Sequence, residues 1–327
     1  MNWLITGGCG FIGRNLIHFL LQQEGHAVRV VDNLSVGSRE NLEMVTTFDE
    51  RAASKTANDF PAQGKVELVV DDILNEDNAL DHAARADVIV HLAANTGVAP
   101  SVENPRHDCM TNVLGTFNYL EAARRNGECR FILASSGAPL GEVEPPIHEE
   151  KAPHPKSPYG ASKLAGEGYC SAYHGSFDVD TVALRFGNVY GPFSSHKSSV
   201  VAKFIRRAME GKTLEIYGDG KQTRDFIYTG DLVAAIYKAA TKEDVGGEVF
   251  QIATNKETTV LELTESLTKE LEKAGISDVD VAHTDPRTGD VRRNYSDTSK
   301  AAEILDWTVE TTLESGLRKT IRWFVEE

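Results

Sequence analysis

The 327-residue sequence predicts an α/β protein in which a doubly wound parallel sheet is joined to a smaller mixed α/β domain. Three observations lead there. An apolar run, Asn2-Trp3-Leu4-Ile5-Thr6, passes straight into glycines at 7, 10 and 13. A second run, Ala27-Val28-Arg29-Val30-Val31, ends on Asp32, nineteen residues after Gly13. The first half then keeps alternating β-rich runs with helical stretches, as parallel strands with right-handed crossovers require.

The strand at 2–6 leads into a helix at 12–24, with an apolar stripe of Ile12, Leu16, Phe19 and Leu20 and a stop at Gly25. After the strand at 27–32 come strands at 66–70, 87–93, 129–135 and 179–185. Helices are expected at 75–85, roughly 101–126 and 158–174. Residues 44–64 show no clear period and read as a surface insertion without assigned function. Pro145-Pro146 and prolines at 153, 155 and 158 mark a long loop before the 158–174 helix. Past residue 185 the rhythm changes. A loop (191–199), a helix (200–210), a strand (214–217) and the turn Gly218-Asp219-Gly220 precede a helix at 230–240. A strand (248–252), a helix (259–273), a strand (278–282) and two helices near 298–305 and 311–325 close the chain. The expected division is a Rossmann-type domain over 1–184 and a substrate domain over 185–327, with a discontinuous boundary. Ligands of open α/β sheets bind at the carboxyl ends of the strands, so substrate is expected between the two parts.

With 41% hydrophobic and 25% charged residues, the chain can bury a large core. A net charge of −15 argues against a nucleic-acid groove, which wants a basic footprint, although a few focused arginines can still hold an anionic small molecule. Cys9, Cys109, Cys129 and Cys170 show neither CxxC nor metal-ligand spacing. No metal is expected, and isolated thiols suit a reducing, cytoplasmic setting. No apolar stretch approaches about 18 residues and no basic start precedes an apolar core, so neither a membrane span nor a signal peptide is expected.

Strand, glycines, helix, strand and terminal Asp32 form the layout of a dinucleotide site. One glycine permits the tight turn, a second lets backbone approach a pyrophosphate, and a third lets helix pack on strand. The helix N-terminus then faces the phosphates. The Asp32 carboxylate can accept hydrogen bonds from both adenine-ribose hydroxyls and repels a 2′-phosphate. NAD is therefore expected over NADP, with Arg14 and Arg39 as the cations that could oppose that preference.

Pro158-Tyr159-Gly160-Ala161-Ser162-Lys163 places a tyrosine and a lysine one helical turn apart, about 6 Å along the axis. A tyrosine of ordinary pKa is a poor base at neutral pH, and an adjacent ammonium favours its phenolate. Such a pair can remove a hydroxyl proton while hydride leaves the carbon. At the end of the 129–135 strand, the hydroxyl of Ser136, rather than that of Ser135, is the candidate to bond the same sugar oxygen.

Thr6-Gly7-Gly8-Cys9-Gly10-Phe11-Ile12-Gly13, Asp72-Ile73, His91-Leu92-Ala93-Ala94, Asn112, Ser135-Ser136 and Tyr159-Gly160-Ala161-Ser162-Lys163 occur in order. So do Leu184-Arg185-Phe186-Gly187-Asn188-Val189-Tyr190-Gly191-Pro192, Gly218-Asp219-Gly220, Arg224-Asp225-Phe226 and Gly289-Asp290. Over essentially its whole length the chain resembles the extended short-chain dehydrogenase/reductases, in the sugar-nucleotide epimerase and dehydratase branch. The resemblance implies tightly held NAD, a nucleoside-diphosphate sugar as substrate, and a homodimer paired through the helices near 101–126 and 158–174. It assigns Asp32 and Asn33 to the adenosine, Asp72 and Ile73 to the adenine, and Ala93 to the cofactor channel. Lys163 would hold the nicotinamide ribose beside Tyr159, with Leu92, Ala94, Asn112 and Phe186 completing the cofactor set. Asn188 falls where the family contacts the diphosphate, Tyr217 where an aromatic packs on the nucleobase, and Val201 beside them. Arg224 and Arg287 match two arginines that clamp the diphosphate, a task suited to the guanidinium fork.

The expected reaction turns on the two residues after Ser136. By the same resemblance, 4,6-dehydratases carry Asp-Glu there, and decarboxylases of sugar-nucleotide uronates carry a glutamate where Ala138 stands. Gly137-Ala138 offers no carboxyl. Inversion at C4 through a transient 4-keto sugar needs only Tyr159, Lys163, Ser136 and NAD, which makes an epimerase, of a UDP-hexose by preference, the expected enzyme. The alternatives are a dehydratase, decarboxylase or reductase, with Glu142, Glu144 and His148 as acids in the adjoining loop, and more remotely a non-catalytic NAD-binding regulator. Pro139-Leu140-Gly141 departs from the family's Val-Tyr-Gly and alters the pocket wall. Asn294 aligns with a position on the far wall of the sugar pocket, where a tyrosine excludes N-acetylated sugars and a smaller residue leaves room.

Overall fold

The computed structural model describes residues 1–53, 59–286 and 291–326. Its main sheet has eight strands: β1 (Asn2–Thr6), β2 (Ala27–Asp32), β3 (Asp49–Arg51), β4 (Val66–Val70), β5 (Val88–His91), β6 (Arg130–Ser136), β7 (Thr181–Phe186) and β12 (Val249–Ile252). Their spatial order is β12-β7-β6-β5-β1-β2-β4-β3. The pairings from β3 through β6 are parallel, and Thr6 lies level with both Val31 and His91. That register brings the carboxyl ends of β1, β2 and β5 to one edge, where Gly7, Asp32 and Leu92 begin their loops. Trp3, Leu4 and Ile5 of the central strand are fully buried. Helix α1 (Phe11–Leu21) buries Leu16, Ile17 and Leu20. Ile89, Phe131 and Leu133 of the sheet pack in one cluster with Tyr119, Leu120 and Ala123.

The chain forms two compact units. The first comprises Met1–Glu142, Glu150–Arg185 and Ala235–Phe250, and the second Val143–Glu149, Phe186–Ala234 and Gln251–Glu327. In the second, β8 (Asn188–Tyr190) pairs in parallel with β11 (Phe226–Tyr228), and β9 (Leu214–Tyr217) with β14 (Val281–Thr284). β10 (Thr223–Arg224) runs antiparallel to β13 (Thr258–Thr259). Its core joins Val201, Phe204 and Ile205 of α8 (Val200–Met209) to Leu263 and Leu267 of α10 (Val260–Lys273) and to Leu317 and Ile321 of α12 (Leu313–Glu326).

Three expectations need correction. The helix expected near 101–126 is four pieces: α4 (Val98–Glu103), α5 (Pro105–Cys109), a π-helical turn (Met110–Leu114) and α6 (Gly115–Asn126). Pro105 forces the first break, because it lacks an N–H, and Asn104 accepts from the His107 N–H at 3.1 Å to start the next helix. Residues 44–64 are not wholly irregular, since β3 extends the sheet beside β4. Arg29, fully buried within β2, donates to Glu67 Oε1 and to the Asp59 carbonyl, both at 2.8 Å, and so fastens that stretch to the sheet. The strand at 248–252, assigned to the second domain, ends the main sheet instead. Its apolar run marks a strand but cannot say which sheet receives it.

Candidate active site

The glycine turn fits a pyrophosphate. Gly7 has φ +69°, and a Cβ there would lie 2.8 Å from the Ala93 nitrogen; at Gly13 it would lie 2.5 Å from the Gly8 Cα. Both positions exclude a side chain. Beside Gly10, by contrast, an added Cβ would meet only the Gly7 carbonyl oxygen, at 3.1 Å, and no side chain caps α1, whose N-cap is Gly10 itself. The amides of Phe11 and Ile12 in the first turn are thus presented to a ligand. Asp32 accepts from the N–H groups of Cys9 (3.0 Å) and Leu34 (2.9 Å), which aim its carboxylate beside the turn. Burial raises its pKa and those two donors oppose the rise.

Asn33 donates to Asp72 Oδ2 at 2.8 Å, and Asp72 in turn accepts from the Leu74 N–H, fixing the two strand ends as one rim with Ile73 buried behind it. Arg39 closes a two-pronged bond on Glu50 at 2.7 and 2.8 Å, and Arg14 Nε reaches back to the Gly10 carbonyl. Arg39 is thus held on Glu50, and neither arginine is among the groups acting on the Asp32 carboxyl. NAD is accordingly expected to stabilise the protein against thermal unfolding at concentrations roughly tenfold or more below those needed for NADP. Equal stabilisation by the two would contradict the role of Asp32.

Helix α7 (Pro158–Phe177) starts on Ser157, whose hydroxyl accepts from the Gly160 N–H, and the cap fixes Tyr159 in the first turn. The Ser136 hydroxyl is the side-chain group that acts favourably on the Tyr159 phenol. Burial raises the phenol's pKa, the Ser136 hydroxyl lowers it, and the Asp108 charge raises it further. Lys163, buried, donates to the Ala134 carbonyl at 2.8 Å. Desolvation pushes its pKa down to about 8 against the pull of Asp108 and Glu167. Ser135 does something else: it donates to Glu167 Oε1 at 2.5 Å, and Arg185 grips the same carboxylate at 2.9 and 2.8 Å. The two serines are thereby distinguished, one facing the tyrosine and one the interior. Asn112 sits in the π-helical turn, and its amide bonds Asn95, Asp108 and Ser162. Ala93 donates its N–H to Thr6 Oγ1 at 3.2 Å, with Leu92 and Ala94 on either side.

Glu167, Arg185 and Asp108 were not expected at the site. Glu167 was within reach of the sequence, since it lies one turn beyond Lys163 on the same helix face. Asp108 offered no such signal.

The substrate candidates lie in the second unit, where Asn188, Val201, Tyr217 and Arg224 line one pocket of about 260 Å³ together with Lys203, Glu215, Gln222 and Phe226. Lys203 lies over the Tyr217 ring, 5.3 Å from its centroid, and its ammonium is 3.6 Å from Glu215. Arg224 donates to the carbonyls of Thr223 and Val291 at 2.6 and 2.7 Å. Asn294 is half-buried, with its N–H bonded to Thr223 Oγ1 at 3.1 Å, and does not line that pocket. Phe186 begins the middle segment of the second unit, Phe186–Ala234. Arg287 lies outside the described residues.

The glycine cradle, the acidic rim and the Ser136–Tyr159–Lys163 cluster are together the arrangement expected of a nicotinamide-dependent enzyme. The chain belongs to the NAD-dependent epimerase/dehydratase family, whose model matches residues 3–253, and NAD is its cofactor. It is 36% identical over 329 residues to the UDP-glucose 4-epimerase of Mycolicibacterium smegmatis, covering 99% of this chain and 98% of that one. Among solved structures it is similar to the UDP-glucose 4-epimerase of Thermotoga maritima with UDP-glucose, at TM-score 0.87 and 34% identity, covering 100% and 99% of the two chains. It is similar as well to the UDP-N-acetylglucosamine 4-epimerase of Methanobrevibacter ruminantium, at TM-score 0.87 and 31% identity, covering 99% and 98%. Among the described residues, no helix is long and apolar enough to cross a membrane.

Proposed function

We propose that the protein inverts C4 of a UDP-hexose. The observation that carries this is the end of β6: Ser136 is followed by Gly137 and by a single 3₁₀ turn (Ala138–Leu140) whose Pro139 and Leu140 are buried, so no carboxyl stands next to the serine. Glu144, one of the acids that could have served a dehydratase, is instead ion-paired with Arg293 at 2.7 Å. Tyr159 takes the proton of the sugar O4, Lys163 favours the phenolate that does so, and Ser136 donates to the same oxygen. NAD, when bound, would supply the hydride-transfer chemistry. Asn188 and Arg224 would hold the diphosphate and Tyr217 the base, with the guanidinium of Arg224 oriented by its two backbone carbonyls. Arg287 would complete the clamp.

Asparagine at 294 leaves room beside C2, and its amide can pair with an acetamido group that would otherwise be buried unsatisfied. The similarity to an epimerase named for an N-acetylated sugar supports that reading. Both UDP-glucose and UDP-N-acetylglucosamine are therefore expected to give their C4 epimers when products are analysed by NMR. Asn294→Tyr should suppress the acetamido substrate selectively. A 4-keto-6-deoxy product would identify a dehydratase instead, and equal loss on both sugars would remove Asn294 from the pocket.

A homodimer belongs to the same proposal. Val98 and Val102 of α4, Met110 and Leu114 of the π-helical turn, and Tyr169 and Phe177 of α7 are large apolar side chains left exposed. A second copy of the chain is the proposed cover, through a self-complementary contact. Leu114→Lys should turn a dimer into a monomer in sedimentation, and a monomeric unmodified protein would refute the pairing.

A further inference from the structure

Four charged side chains meet in the dry interior beneath Tyr159: Lys163 and Arg185 are cations, Glu167 and Asp108 anions. Arg185 and Glu167 are joined by two short bonds, with side-chain exposures of 6% and 5%, while Arg185 Nη1 is buried without a partner. There remain one ammonium and one carboxylate. Asp108 is 1% exposed, and no cation is bonded to its carboxylate among the described residues. Its Oδ1 accepts from Asn112 Nδ2 at 3.0 Å, while Oδ2 is buried without a partner. The same Asn112 amide donates to Ser162 Oγ at 3.0 Å, and Ser162 donates to the Tyr159 carbonyl at 3.1 Å. A hydrogen-bonded string thus runs from Asp108 through the π-helical turn to the backbone of the tyrosine.

We propose that Asp108 is a positioning residue: the counter-charge of Lys163, and the anchor that holds the first turn of α7 through Asn112 and Ser162. A buried carboxylate with an oxygen left over is costly unless a charge nearby compensates it, and the buried Lys163 ammonium, on which Asp108 acts, is such a charge. The groups acting on Lys163 are Asp108 from α5, Glu167 from its own helix and, as a neighbour that feels its charge, His91 of β5. Those acting on the Tyr159 phenol are Ser136 of β6 and Asp108. A negative charge makes the phenolate harder to form and the ammonium harder to lose. Removing it moves both titrations the same way, toward lower pH.

The inference rests on the reading of Tyr159 as base, and its test is chosen to stand without a sugar substrate. Tyrosinate absorption is titrated in the NAD-loaded protein, with Tyr159→Phe as the subtraction baseline. Asp108→Asn, which keeps volume and an acceptor for Asn112, should bring the phenolate in about one pH unit lower. Asp108→Glu, which keeps the charge, should titrate as the unmodified protein does. With an active sugar in hand, both limbs of the pH–rate profile should move down together in Asp108→Asn. A titration unmoved in Asp108→Asn, or moved equally in Asp108→Glu, overturns the proposal and leaves Asp108 a packing residue. Failure to turn over any sugar would count against the epimerase and not against Asp108, because the titration needs none.

Discussion

Tyr159→Phe should keep NAD bound while lowering turnover by two or more orders of magnitude, a barrier increase of about 3 kcal/mol or more. The ring and its packing survive the change; only the oxygen is lost. That oxygen is the one whose ionisation Ser136 favours, on a side chain set one turn from Lys163, whose ammonium is fixed by the Ala134 carbonyl. A loss confined to kcat, with KM little altered, is the signature of an interaction made in the transition state. If the phenylalanine variant kept more than about a tenth of the rate, another group would have to be the base.

Glu167→Ala is expected to cost stability on a similar scale, about 3–5 kcal/mol, because it leaves the Arg185 guanidinium buried with no counter-ion. The pair is nearly sealed from water, and Ser135 loses its acceptor in the same stroke. Denaturant unfolding should show a lower midpoint at an unchanged slope. The double variant Glu167→Leu with Arg185→Leu should recover most of the loss, since two apolar groups can replace a buried pair. A loss of less than about 1 kcal/mol in Glu167→Ala would mean that water reaches Arg185.

The cofactor half of the site was legible because its requirements are local. Gly7, Gly13 and Asp32 are demanded by backbone geometry and strand-end position within one βαβ unit, and a short window of sequence contains them all. Tyr159 and Lys163 were legible for a like reason, as neighbours on one helix. Asp108 depends on a break at Pro105 and a π-helical turn that carry the chain across the face of α7, and no periodicity foretells that path; Asn112, on the same turn, was reached only through the family resemblance. β3 was missed because Asp49-Glu50-Arg51 carries no strand signal, and β12 was misplaced for another reason. Strand propensity marks an extended segment, but its partner in the sheet is chosen by tertiary packing.

The way the chain divides between its units bears on how the molecule is made. It passes from one unit to the other after Glu142, Glu149, Arg185, Ala234 and Phe250. No single cut therefore yields either unit as a continuous polypeptide, and a fragment ending near residue 184 would lack the segment that supplies β12. During synthesis the sheet cannot gain its last strand until about three quarters of the chain has been polymerised, so the unit that carries the glycine turn must wait, incomplete, for residues encoded after much of its neighbour.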